Sequence, residues 1–402
     1  MLLGLIAALA AWSWQFLTVH YNYGGNWTAL FRIRAGMPVP DFLKSENLYI
    51  FHDSQGYDGQ VYHLIAHDPW PRKGMAKGSA AAIADPALRY QRIFVPALAW
   101  LLAFGRDSWI DAAYCFVILA FVFLGVYWMS RCASRCGRAP EWGLAFLLAP
   151  ATIVSVDRMT VDIALAALVA GFAYYSLESS GASERAARFS KVFAILTCAA
   201  LTRETALPIV AGYAFYLATR RRFAHAFLAA ATALPAAGWY LYLAHNLGMR
   251  GRSTLPDYVS WIPLSGFAGR VVHPVLYAIS PFKNAAAVAL DYAALLAFGI
   301  ALLFAARLAL RRTWNPRACA AYALAIAAML IGSRSVWEDV NAFGRVLTPF
   351  FLLIAIEEWN ARTSISSWIA LAPFLLTDAR IALDLAAQVR GVGLGLIGAL
   401  LK

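Results

Sequence analysis

The chain has 402 residues, of which 61% are hydrophobic and only 14% charged, whereas a soluble domain carries about 25% charged residues. With a mean hydropathy of +0.60, a water-soluble fold would expose too much apolar surface. Lys and Arg outnumber Asp and Glu by 34 to 22, a net charge of +12, but they sit in short clusters between apolar runs, so the charge reads as membrane topology and not as a nucleic-acid surface.

Residues 1 to 19 are apolar and lack both a basic leader and a clear small-residue cleavage site, so they are expected to form a first spanning helix and not a signal peptide. A polar stretch, 20 to 88, precedes a run from Arg89 to Phe104 that opens R-Y-Q-R-I-F-V-P. At about 1.5 Å per residue that run is short for a hydrocarbon core of about 30 Å, and it reads as a re-entrant or interface helix. Residues 20 to 108 thus form a first extracytoplasmic loop with short helices in it. Later crossings are expected at 109 to 130, 141 to 156, 160 to 177, 190 to 203, 204 to 218, 223 to 245, 285 to 306, 317 to 333, 345 to 357 and 364 to 377, with 378 to 402 left open. The expectation is a single all-α polytopic domain over 1 to 402, of about 11 to 12 spanning helices. No internal repeat or long linker divides it.

Basic residues orient these crossings. With the N-terminus inside and 89 to 104 not crossing, the inside loops collect Arg131, Arg135 and Arg138, then Arg185, Arg188 and Lys191, then Arg220 to Arg222, then Arg307, Arg311, Arg312 and Arg317. The outside loops hold few. The same assignment puts G-Y-D-G-Q (56 to 60), D-R-M-T-V-D (157 to 162), T-R-E-T (202 to 205) and W-E-D-V-N-A-F-G-R (337 to 345) outside, where four charged clusters on one face look like the lining of a site.

The loop segment 56 to 69, G-Y-D-G-Q-V-Y-H-L-I-A-H-D-P, reads as a tight glycine-flanked turn into a short helix, with Asp58 where an N-cap would stand. Asp58 admits two readings, a helix cap or a functional carboxylate approached between glycines. Tyr57, Gln60, His63 and Asp68 would lie in the same substrate-contacting loop. His63 and His67 are four apart beside Asp68, which admits a divalent metal, although the third ligand of a zinc pattern is missing. The five cysteines, Cys115, Cys132, Cys136, Cys198 and Cys319, form neither a disulfide framework nor a zinc motif. Arg203 with Glu204 and Asp157 with Arg158 stand at helix ends, as structural ion pairs or as site residues. Arg345 opens an apolar helix and can present a planar fork to a phosphate at the headgroup level, with Arg334, Arg89 and Arg92 as helpers.

Y-D-G-Q (57 to 60), A-H-D-P (66 to 69), R-Y-Q-R-I-F-V-P (89 to 96), L-T-R-E-T (201 to 205) and N-A-F-G-R (341 to 345) together resemble membrane glycosyltransferases of the GT-C type. The resemblance is to bacterial proteins of cell-surface glycopolymer formation and, more distantly, to the GPI mannosyltransferases of the second-mannose step. It implies a GT-C-like fold in a bacterial inner membrane and makes Asp58 the catalytic acidic residue of the first outside loop. The adjacent acidic pair of several GT-C families is missing, which leaves a metal cofactor open, and Asp157, Asp162 or Glu204 stands as a second carboxylate. Sugar nucleotides stay in the cytoplasm, so a transfer site facing outward needs a lipid-linked sugar donor such as a polyprenyl phosphate sugar. Arg345, Arg203, Arg334, Arg92 and Arg89 would bind its phosphate, and the acceptor would be a glycan or glycolipid. A transporter or flippase is the rival: the short crossings around T-R-E-T fit discontinuous helices. A non-catalytic partner in a polysaccharide assembly complex is a third reading.

Overall fold

A computed structural model describes residues 1–44, 46–71, 79–176, 182–247, 258–360 and 364–401. Helix α1 (Leu2–Tyr23) is followed by a loop region with two short strands, β1 (Ile33–Arg34) and β2 (Ile50–Phe51), paired in parallel, and by α2 (Asp58–His67), α3 (Ser79–Ala82), α4 (Pro86–Arg89) and α5 (Phe94–Leu102). Then come α6 (Asp107–Arg135), α7 (Pro150–Arg158), α8 (Asp162–Tyr175), α9 (Ala182–Thr202), α10 (Leu207–Thr219), α11 (Phe223–Ala231) and α12 (Leu234–Leu247). The last third holds α13 (Ser265–Val272), α14 (Pro281–Leu310), α15 (Pro316–Met329), α16 (Arg334–Glu338), α17 (Val340–Asn360), α18 (Ser364–Ile369) and α19 (Ala372–Leu400). The fold is 77% helical, which agrees with the all-α expectation.

Among the described residues, five segments are long and apolar enough to cross a membrane: α1, α6, the α11–α12 stretch Phe223–Leu247, α14 and α17. These correspond to five of the expected crossings. Large apolar side chains stand outward on them, among them Leu9, Phe116, Phe227 and Leu303. Such outward apolar faces suit contact with lipid, and several long apolar helices are the make-up of a multi-pass membrane protein. Helix α17 is the exception, buried along almost its whole length.

Elsewhere the sequence reading needs correction. The expected crossing at 141 to 156 is two pieces, a 3-10 helix (Pro140–Leu148) and α7, because the backbone turns extended at Ala149 and restarts at Pro150. The one placed at 364 to 377 breaks near Ala370 and Leu371, and a 29-residue helix, α19, runs on from Ala372. Apolar density alone does not mark such a break, but proline does: Pro150 directly follows Ala149, and Pro373 lies two residues after Leu371, each in the first turn of the helix that restarts. Helix α5 has 9 residues, about 14 Å of rise, which is well short of a bilayer core. The side chain of Arg185, counted among the inside basic residues, lies outside the described residues.

What positions the site is the seat of α2. Gly56 has φ +74, a left-handed turn that suits glycine, and the chain then enters α2 at Asp58. A Cβ on Gly59 would collide with the carbonyl oxygen of Arg158, the last residue of α7. Glycine here lets the first turn of α2 lie directly on the break between α7 and α8, where Met159 adopts φ 48.

Candidate functional site

Tyr57, not Asp58, is the residue that precedes α2, and no side chain caps the helix. The Asp58 carboxylate is instead shared between two arginines. Arg89 Nη1 donates to Oδ1 at 2.6 Å and Arg345 Nη2 donates to Oδ2 at 3.0 Å. The cap reading therefore does not describe this side chain.

Arg345 sits in the second turn of α17, where its Nε donates to the Asn341 carbonyl at 2.9 Å and its Nη1 to Asp162 Oδ2 at 2.9 Å. Asp162, the first residue of α8, takes its other bond from Arg203. Arg203 lies 3.6 Å from Glu204, and Glu204 accepts two bonds from Arg92, at 2.7 Å and 3.2 Å. Arg92 also donates to the Tyr62 hydroxyl at 3.1 Å. Arg89, Asp58, Arg345, Asp162, Arg203, Glu204 and Arg92 therefore form one continuous chain of charges. It joins the loop after α1, the starts of α8 and α10, and the start of α17.

Four guanidinium groups and three carboxylates leave an excess of one positive charge in a mostly buried place, which favours an anionic ligand. Burial alone would push the Asp58 carboxyl up, but Arg89 and Arg345 outweigh it and hold Asp58 well below the usual carboxylate range. A divalent cation does not fit as a ligand of Asp58, since both its oxygens already face guanidinium groups.

The other expected residues are placed as follows. Asp157 pairs with Arg32 at 3.3 Å and with Arg158 at 3.4 Å, outside the continuous chain. It lies nearby all the same, because Arg158 and Arg345 approach the Tyr57 ring at 4.6 and 4.9 Å. Gln60 turns away and accepts a bond from the Arg34 amide. The Asp68 carbonyl accepts from the Tyr90 hydroxyl at the end of α2. Arg334 is not brought in: its side chain is 82% exposed and pairs with Glu338 one turn along its own helix. A short polar helix after the apolar α15 keeps it at the surface. His63 and His67 face Asp111 and Asp107, not Asp68.

Beside Arg92, Arg203 and Glu204 opens a cavity of about 470 Å³, walled by apolar side chains such as Leu207, Leu324 and Phe350. A second buried charge cluster, which the sequence reading missed, adjoins the first. Asp291 of α14 accepts from Arg270 at 2.6 Å, from Arg380 at 2.8 Å and from the Tyr277 hydroxyl at 2.8 Å. Arg380 continues to Asp384, which also accepts from Asn341 and lies 3.8 Å from Arg158. The signal was present: Asp291 is the one acidic residue in the long apolar run 281 to 310, and a lone intramembrane acid implies a partner.

No protein-family model, no curated protein and no solved structure matches this chain.

Proposed function

We propose that this chain is an inverting membrane glycosyltransferase of the GT-C type that uses a polyprenyl-phosphate-linked sugar on the non-cytoplasmic face, in cell-surface glycan or glycopolymer assembly. The observation that carries the reading is Arg345, which bridges Asp58 and Asp162 within a line of four arginines beside an apolar cavity. A lipid-phosphate sugar has the matching parts: an anion for the arginines and an apolar chain for the cavity. The reading includes about 11 to 12 spans, an inside N-terminus and a bacterial inner membrane.

In the reaction, Asp58 takes the proton of the acceptor hydroxyl as that oxygen attacks the anomeric carbon. The bond from that carbon to the phosphate oxygen breaks, its electron pair leaves with the lipid phosphate, and the guanidinium groups meet the charge. One displacement inverts the anomeric centre. A positioned base contributes about 10² to 10⁴ in rate, and preorganised charge at the leaving group is comparable or larger.

A carboxylate held as low as Asp58 is a weak base, and base catalysis works best when the pKa nears the working pH. The donor phosphate competes with Asp58 for Arg89 and Arg345. Donor binding therefore loosens both ion pairs and raises the basicity of Asp58 when the acceptor arrives.

The test is incubation of the purified full chain with radiolabelled polyprenyl phosphate sugars and a membrane lipid extract. Label chased into a larger glycolipid supports the reading. Label that crosses a proteoliposome bilayer chemically unchanged, with no transfer from any donor, would replace it with the flippase reading, which draws on the buried Asp291 cluster.

A further inference from the structure

The face of α2 opposite Asp58 carries different chemistry. His63 and His67 lie five and nine residues beyond Asp58, about 140° and 180° around the helix, and His67 is about 13 Å farther along it. Neither histidine belongs to the arginine chain. Both rings are buried, and with Glu46 they bring three ligand atoms within 4.8 Å of one another. We propose that Glu46, His63 and His67, with Asp111 as the fourth ligand, bind one zinc ion that fastens the loop after α1 and helix α2 to the first turns of α6.

The geometry carries this. The Nε2 atoms of His63 and His67 face each other at 3.3 Å, and two nitrogens bound tetrahedrally at about 2.0 to 2.1 Å stand about 3.3 Å apart. Glu46 Oε1 lies 3.9 Å from His67 Nε2, and Asp111 Oδ1 lies 2.8 Å from His63 Nε2. Inward shifts of the Glu46, His63 and His67 atoms, which lie within 4.8 Å of one another, close these three around a cation, and Asp111 turns in from its contact with His63 Nε2.

His67 is oriented for the task. Its Nδ1 lies 2.8 Å from Asp107 Oδ1, so Nδ1 donates there and the Nε2 lone pair points at the other ligands. A carboxylate behind a metal-binding histidine fixes the tautomer in this way. His63 has no such support, as its Nδ1 is buried without a hydrogen-bond partner. The Phe31 ring, 4.3 Å from the His63 ring, walls the site.

Charge points the same way. Glu46, Asp107 and Asp111 gather around two histidines, and none of the described ion pairs joins these carboxylates to a lysine or arginine. One oxygen of Glu46 is buried with no hydrogen-bond partner. Two imidazoles with carboxylates suit zinc over the hard, all-oxygen cations magnesium and calcium. The side chains of Asp107 and Glu46 are 53% and 22% exposed, which gives the ion a way in.

The full-length protein, purified in detergent and stripped with EDTA, is loaded with zinc chloride, desalted and assayed by elemental mass spectrometry. One zinc per chain is expected, falling below one tenth in both Glu46→Gln and His67→Gln. Asp107→Asn should bind zinc about ten- to a hundredfold more weakly in competition with a chromophoric chelator. Glu46 stands in a partly exposed loop, so its variant carries the test if His67→Gln does not fold. Less than one tenth of a zinc per wild-type chain, or full occupancy in the Glu46 variant, would overturn the proposal. The readout needs no transfer activity and so fails independently of the proposed reaction.

Discussion

Gly59 meets the carbonyl oxygen of Arg158 with no space for a side chain between them. This contact seats Asp58 beside the start of α8, within reach of the Arg345 that also holds Asp162. Gly59→Ala changes no ionisable group, yet the backbone contact forces α2 away. The expected outcome is at least a tenfold loss of transfer in a protein that still elutes as a single species on size exclusion, since displacements of about 1 Å can cost about 10² in rate. Wild-type transfer rates would show that the seat of α2 does not govern the site.

Asp58→Asn is expected to lower turnover by about two or more orders of magnitude with donor binding largely kept. The amide is nearly isosteric but cannot accept the proton at neutral pH. Near-normal transfer by a well-expressed variant would remove Asp58 as the base and turn attention to Asp162.

The pH dependence of stability has a definite sign. Asp58 is held below its unfolded value by Arg89 and Arg345. A depressed carboxyl adds stability above its unfolded pKa of about 3.9 and loses it as the pH falls through the lower folded value. Thermal unfolding of the wild type should therefore drop more steeply below pH 4 than that of Asp58→Asn. Parallel curves for the two proteins would contradict the ion pairs.

Arg345→Lys keeps one charge but cannot bridge two carboxylates, so donor use should fall at least tenfold. Arg345→Ala leaves buried Asp58 and Asp162 short of a partner and should cost about 3 to 5 kcal/mol of stability. Arg334→Ala, at an exposed helix, should behave as wild type in both assays. Donor saturation curves and chemical unfolding separate the three variants, and equal behaviour of Arg345→Ala and Arg334→Ala would remove Arg345 from the site.

Orientation is open to a labelling test at two exposed serines, Ser54 and Ser134. In a background without the native cysteines, Ser54→Cys should react with an impermeant thiol reagent added outside, and Ser134→Cys only after permeabilisation. The reverse pattern would invert the topology.

Much of the charge chain was legible because charge is rare here. Asp58, Asp162, Glu204, Arg89, Arg92, Arg203 and Arg345 stand out in an apolar sequence at helix ends, where a buried charge must find a partner. Which partner it finds was not legible, because Arg345 and Asp58 are 287 positions apart. Glu46 escaped notice for a similar reason: it lies in a loop before α2, with no helical spacing to tie it to His63. Asp291 was visible as a lone acid, but Arg270 and Arg380 come from other elements. The breaks at Ala149 and near Ala370 were marked by Pro150 and Pro373, but the apolar runs on both sides read as continuous when apolar density alone was counted.

Asp58 and Arg89 leave the ribosome early and Arg345 near the end, so the two acids of the site wait for most of synthesis without the cation that separates them. Until α17 inserts, Asp58 has only Arg89, and Asp162 only Arg203. The site is therefore completed by the last third of the chain, and a polypeptide that stops before residue 340 carries two carboxylates without their common partner.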